Sequence, residues 1–501
     1  MKSDTFAKET LLLLAFVFLT SLFVRQMDAK PIFAFILLMP LMFYATLRAP
    51  VHITARVLVA LGLFIEPPDM IPGAGYWVSP LEGANETLYG SLKGLINFPV
   101  SFPLFFFCAI ILWYRARKTY KPVTFMAAPE PAIRMVMVFL AVVLGMWGWG
   151  MLRGGAPTPS FFQVLQLLTL PIFTLGCLYS IRGKDDFRAL ATIIVLVALA
   201  RSALVAWVYI VVCGPLGVVP EYATTHGDSV IFDAAFLILV CHFIEVRTKR
   251  ALGRLLVFGG IVLVAIAMNN RRLAFVGLGA GIATIILFLP PSVAKRKVFR
   301  QLIWITPLLV GYILIGGANP NDKNPVYAPA RLVTSVIEQN DTSSDARDVE
   351  NDNLLITLDE NNPLVGPGFG FEYHEVTQLY DIAQYFPLYK YIAHNSVLWL
   401  LTIGGLAGFT TLWMLFAFNA YFSARAYRLA RSPNERAVGL FGLGMTFVCI
   451  TADWGDQGLT SFPNLVLFAV TYAMVTKATA HGERAIQIDR DVAYLLSTGY
   501  T

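Results

Sequence analysis

The stretch YIAHNSVLWLLTIGGLAGF, Tyr391–Phe409, opens with a titratable ring and an amide, His394 and Asn395, and within a few residues becomes as apolar as a bilayer interior. A run of that kind reads as the head of a membrane-spanning helix. The rest of the chain has the same character: 57% of its 501 residues are hydrophobic and only 14% are charged, and the mean hydropathy is +0.64. A water-soluble fold of ordinary size cannot hide that much apolar surface. The expected fold is therefore an all-α polytopic membrane protein.

A helix needs roughly 20 mostly apolar residues to cross the hydrocarbon core, and by that measure the chain holds about fourteen spans. The first two fall at 10–24 and 31–47. Residues 1–317 then carry the first eleven or so helices with short loops. Residues 318–393 form a large, partly helical loop lobe, too long for a simple connector. Residues 394–476 carry the last spans, and 477–501 form a cytoplasmic tail. The apolar run after MKSDTFAKET has no small-residue cleavage site behind it, so the first span is expected to be retained.

The formal net charge of +6 would point to nucleic acid in a soluble protein. Here the basic residues sort by membrane side instead, and no nucleic-acid partner is expected. With the N-terminus inside, most of the 38 Lys and Arg fall in cytoplasmic loops, among them Arg115–Lys121, Arg247–Arg254, Lys295–Arg300 and Arg425–Arg436. Both termini are then cytoplasmic, and 67–98 and 318–393 lie outside. The five cysteines have no CxxC spacing and read as small core residues, so neither zinc nor a disulfide framework is indicated.

Against this background a few cations are misplaced. AMNNRRLAFVGLGAG puts Arg271 and Arg272 on the outer side in what is nearly a two-helix turn. They either snorkel to headgroups or bind phosphate, whose oxygens match a guanidinium fork. Arg201 sits in mid-span and must face protein or a water-filled cavity, paired with Asp233 or reserved for a ligand. Arg347 is the one base in the acidic stretch from Glu338 to Glu360, as a local ion-pair partner or as an anion contact. Lys390 stands shortly before His394 and is a further candidate contact for substrate.

The tract NNPLVGPGFG, Asn361–Gly370, lets the backbone turn sharply and approach a ligand at Gly366, Gly368 and Gly370. No strand precedes it, so it is not a dinucleotide fingerprint. His394 and Asn395 form either a helix cap and interface anchor, or a proton acceptor with an amide that orients the ring or binds a hydroxyl.

Taken in order, NNRRLAF, the lone loop arginine, NPLVGPGFG, and HNSVL followed by GGLAG resemble the O-antigen ligase and polymerase family, integral membrane glycosyltransferases that use polyprenyl-diphosphate-linked sugars. The resemblance covers the tract from about Met268 to Phe409. The family's helix-opening arginine resembles Arg272, with Arg271 the alternative. Its loop arginine resembles Arg347, and the histidine of its HNxxL pattern resembles His394. The aromatic that often follows the loop arginine is absent from RDVENDNLLITL, and the loop is long and acidic.

The resemblance implies a bacterial inner-membrane enzyme with a periplasmic active site, no cofactor, no nucleotide sugar and no obligatory metal. The implied donor is an oligosaccharide on undecaprenyl diphosphate. The acceptor is a saccharide, either a lipid-linked repeat unit or lipid A core, and a chain-length regulator and a flippase are the implied partner proteins beside the lipid bilayer. His394, Arg347, Arg272 and Arg271 are then expected to act in catalysis. Asn395, Arg201, Lys390 and the three glycines are expected to bind substrate, and transfer is expected to invert the anomeric centre. The enlarged loop and the number of spans favour a polymerase of exopolysaccharide or O-antigen over a ligase. A transporter or flippase of a lipid-linked saccharide is the alternative from a different class.

Overall fold

The computed structural model describes residues 43–44, 46–64, 91–92, 96–99, 101–119, 128–217, 223–269, 271–291, 293–318, 327, 330–331, 334, 342–377 and 388–498. Apart from a short antiparallel ribbon, β1 (Ser91–Leu92) with β2 (Ile96–Pro99), the described elements are helical. They are α1 (Val51–Phe64), α2 (Ser101–Thr119), α3 (Glu130–Leu152), α4 (Pro157–Ser180), α5 (Lys184–Leu216), α6 (His226–Val246), α7 (Lys249–Asn269), α8 (Arg272–Phe288), α9 (Val293–Gly317), α10 (Thr342–Asp359), α11 (Ser396–Leu429), α12 (Pro433–Gly455) and α13 (Phe462–Thr498).

Seven of these, α3 to α7 with α11 and α12, are long and apolar enough to cross a membrane. That is the architecture of a polytopic, membrane-embedded protein. The expected span at 10–24 and most of that at 31–47 lie outside the described residues. The later expected spans each overlie a helix, several of them shorter or less apolar than the seven. α13 runs from Phe462 to Thr498, across the boundary expected at 476.

Local sequence explains the helix starts. Pro follows the first residue boundary in α3, α4 and α12, where its missing N–H has no helical partner to lose. At α12, Ser432 and Glu435 form a reciprocal capping box, and at α7 the Thr248 side chain accepts the Ala251 N–H at 3.2 Å. α4 and α12 are the most enclosed of the seven, and Phe105 of α2 packs edge to face on Phe462 of α13 and at a tilt on Phe173 of α4.

The contacts sort into two ends of the bundle. At one end the α3–α4 turn meets Gly370, where the Ala156 N–H donates to the Gly370 carbonyl at 2.8 Å. At the same end the Arg201 guanidinium reaches the Leu63 carbonyl at the close of α1, 2.7 Å away. At the other end Arg436 pairs with Glu245 at 2.7 Å, Arg425 with Glu483 at 2.6 Å and Lys184 with Glu435 at 3.6 Å. The end of α6 and the α11–α12 connection, two of the segments that the charge pattern assigns to one side, therefore meet.

α11 is broken at Gly405, whose φ of 57° and ψ of −160° are not helical. A break of this kind frees backbone groups that need new partners away from water. The tract Pro363–Gly370 supplies them: Leu406 N–H donates to the Pro363 carbonyl at 2.8 Å, Ala407 N–H to Leu364 at 3.0 Å, and Gly368 N–H to the Ile403 carbonyl at 2.9 Å. Gly366, Gly368 and Gly370 all have positive φ, at 59°, 89° and 96°. A Cβ at Gly368 would stand 2.5 Å from the Gly150 nitrogen, and one at Gly366 would stand 2.3 Å from the Ile403 carbonyl oxygen. The sharp turns and close approach anticipated for this tract are present, but what the glycines approach is the backbone of α3 and α11. In the structure they serve as a splint on a broken helix.

Candidate functional site

α10 lies along the first turns of α11. The Thr402 hydroxyl donates to the Leu354 carbonyl at 3.1 Å, and the Asn395 amide Nδ2 donates to Asn351 Oδ1 at 3.2 Å. Asn395 also caps α11 by accepting the Leu398 N–H at 3.0 Å, so the capping reading of this residue holds. Its amide is thereby engaged at both ends.

This packing sets a carboxylate against His394. Glu350 is buried, with 2% of its side chain exposed, while 36% of the His394 side chain is exposed. The backbone N–H of His394 donates to Glu350 Oε2 at 3.0 Å, and ring Nδ1 lies 3.2 Å from both carboxylate oxygens. Arg347 is about one helical turn before Glu350 on α10, and its charge acts on the imidazole. Among the described residues Arg347 has no ion-pair partner.

A second acid comes from the end of α12. The Asp456 carbonyl accepts the Ser396 hydroxyl at 3.2 Å, and its carboxylate also acts on His394. Burial alone would push the imidazole's pKa down. The hydrogen bond and charge of Glu350, aided by Asp456, outweigh both that burial and the opposing Arg347, so it stands above the ordinary value.

The start of α8 reaches the same place. A Cβ on Gly455 would stand 2.7 Å from Leu273 Cδ1, so the two helix ends touch directly beside Asp456. Of the adjacent arginines, Arg271 is buried, with 6% exposure, and its guanidinium donates to the Thr224 carbonyl at 3.2 Å. Thr224 is itself held by Asn269 Oδ1, at 2.8 Å from its backbone nitrogen. Arg272 is half-buried and is the more accessible of the two.

Two further candidates are engaged within the protein. Arg201 forms a buried ion pair with Asp228, whereas the two expectations for it were a pair with Asp233 or a ligand role. Asp228 stands in the first turn of α6, level with Arg201, whereas Asp233 is deeper and faces Gly277, where a Cβ would meet its Oδ2 at 2.7 Å. Lys390 pairs with Glu375 at 2.9 Å, and this contact raises its pKa above the usual lysine value.

The structure thus brings His394, Asn395, Arg347 and the start of α8 to one end, and adds Glu350 and Asp456, which the sequence did not single out. Glu350 was one acid among many in its loop. Its spacing from Arg347 on a shared helical face was the only available signal. Among the described residues no group of three or more His, Cys, Asp or Glu is placed to hold a metal ion. No protein-family model matches the chain, and no curated protein matches it either.

Proposed function

We propose that the protein is a membrane glycosyltransferase that moves an oligosaccharide from undecaprenyl diphosphate to a saccharide hydroxyl at the periplasmic face of a bacterial inner membrane. In this reading the chain crosses the membrane about fourteen times and both termini are cytoplasmic. The observation that supports it is the meeting of a partly exposed imidazole, an arginine with no ion-pair partner among the described residues, and the arginine-bearing start of α8 at one end of the bundle.

The acceptor oxygen attacks the anomeric carbon as the bond from that carbon to the diphosphate breaks, and the bonding pair leaves with the diphosphate. Arg347 and Arg272 stabilise the charge that develops there. His394 takes the hydroxyl proton, and a single displacement inverts the anomeric centre. The long acidic segment before α11 favours polymerisation of repeat units over ligation to lipid A core. The interrupted α11 favours a second reading, a transporter of the same lipid-linked saccharide, since broken helices build many transport sites.

The test supplies the purified full-length protein in nanodiscs with undecaprenyl-diphosphate-linked oligosaccharide and follows glycan length and released lipid diphosphate. Longer glycans are expected, with their loss in Arg347→Ala. Full synthesis by a well-folded Arg347→Ala protein would remove that arginine from the mechanism, and movement of intact donor across the bilayer without product would favour transport. In a deletion strain, accumulated single repeats mark a polymerase and unattached long chains mark a ligase.

A further inference from the structure

The carboxylate behind His394 has a geometry that a helix clamp alone does not need. Glu350 accepts the backbone N–H of His394 and also faces Nδ1 of the same residue with both oxygens. A clamp needs only the first contact. The second can fix the ring: a carboxylate that only accepts at this position requires the hydrogen on Nδ1, which leaves Nε2 as the lone-pair nitrogen of the neutral imidazole.

We infer that Glu350 is a positioning residue for the proposed transfer, holding His394 by Nδ1 so that Nε2 is the atom that receives the acceptor's proton. This rests on the glycosyltransferase reading for its chemistry but not for its geometry. As the new glycosidic bond forms and the diphosphate departs with its electron pair, the hydroxyl proton moves to Nε2. The imidazolium so formed lies against the Glu350 carboxylate, which stabilises it. Because Arg347 and Glu350 share α10, one rigid element carries both the anion-binding cation and the group that orients the base.

The charged groups acting on the ring are Glu350 and Arg347 from α10 and Asp456 from the end of α12. Glu350 lies within hydrogen-bond distance of ring Nδ1. Replacing its charge while keeping its hydrogen-bonding oxygen should therefore change the ring's titration, which a purely mechanical clamp would not do.

The experiment titrates the His394 imidazole in the full-length protein by the pH dependence of its carbethoxylation with diethyl pyrocarbonate, read by mass spectrometry of the peptide that contains it. Wild type is expected to react with a midpoint above that of an ordinary imidazole, about 6.5. Glu350→Gln is expected to shift the midpoint to lower pH, and Glu350→Asp to restore most of the wild-type value. The acid limb of the transfer rate should move in the same direction, with a rate loss on the order of 10²-fold or more in Glu350→Gln.

A wild-type midpoint at or below 6.5, which needs no variant, overturns the inference. So does an unchanged midpoint in folded Glu350→Gln. The titration uses no sugar donor, so a wild-type protein that fails to transfer glycan would sink the proposed function while leaving the role of Glu350 to be decided by the chemistry of the ring.

Discussion

Replacing Gly405 by alanine isolates the break in α11 from everything around it. The native φ of 57° with ψ of −160° belongs to a region open essentially to glycine, and any other residue there costs about 1–3 kcal/mol. The added Cβ would also stand 2.5 Å from both the Leu364 carbonyl carbon and the Val365 nitrogen. Backbone atoms cannot rotate aside. Either the clash is absorbed as strain of about 1–3 kcal/mol, or the tract moves and weakens three hydrogen bonds worth about 1 kcal/mol each. The expected loss is about 2–6 kcal/mol.

Gly404 provides the control. It is helical, and its added Cβ would meet the Met146 Cε at 2.2 Å, the far end of a flexible thioether that can swing away. Gly404→Ala should cost no more than about 1.5 kcal/mol. Denaturant titration of the purified proteins in mixed micelles, followed by tryptophan fluorescence, compares the two. If Gly405→Ala is no more destabilising than Gly404→Ala, the splint account of the glycine tract is wrong.

Arg201→Met leaves Asp228 buried without its ion-pair partner and should destabilise the protein by about 3–5 kcal/mol; Arg201→Met with Asp228→Asn should recover most of that in the same titration. Arg271→Ala should lower stability because its guanidinium is bound in the packing at Thr224, whereas Arg272→Ala should affect unfolding less and abolish transfer, measured as glycan product per folded protein. The pH dependence of stability has a definite sign at His394, whose proton is held more tightly in the folded chain. Its contribution is fully present below about 6.5 and is lost as pH rises through the raised folded value. Unfolding midpoints of wild type should therefore fall across that window more steeply than those of Glu350→Gln, and parallel curves would show that the pair does not couple to folding.

Much of the architecture is legible residue by residue. The length and apolarity of the runs mark the helices, because the hydrocarbon core sets a minimum length. The basic cluster Arg425–Arg436 does meet the end of α6, which the charge pattern places on the same side. His394 and Asn395 stand out as polar groups at the head of an apolar run, and Arg347 as the one base in an acidic stretch. The roles of several of them were not legible. Asp228 and Asp233 lie on one helix, and only the packing of α5 against α6 selects which of them meets Arg201. The glycines of Asn361–Gly370 signal close approach equally well to a ligand or to another backbone. That choice depends on the break at Gly405, whose partners come from a distant part of the chain.

By itself, then, the sequence determined that the chain is a helical membrane protein and that, apart from Arg201, its unusual polar residues cluster between Arg271 and Asn395. Composition and local periodicity act within single segments, and the chain carries both openly. Tertiary structure alone decided that Glu350, one carboxylate among many in an acidic stretch, stands behind His394, and that Asp456 closes the same site from the end of α12. Which acid meets which ring is fixed by how α10, α11 and α12 pack, and no local pattern encodes that distance.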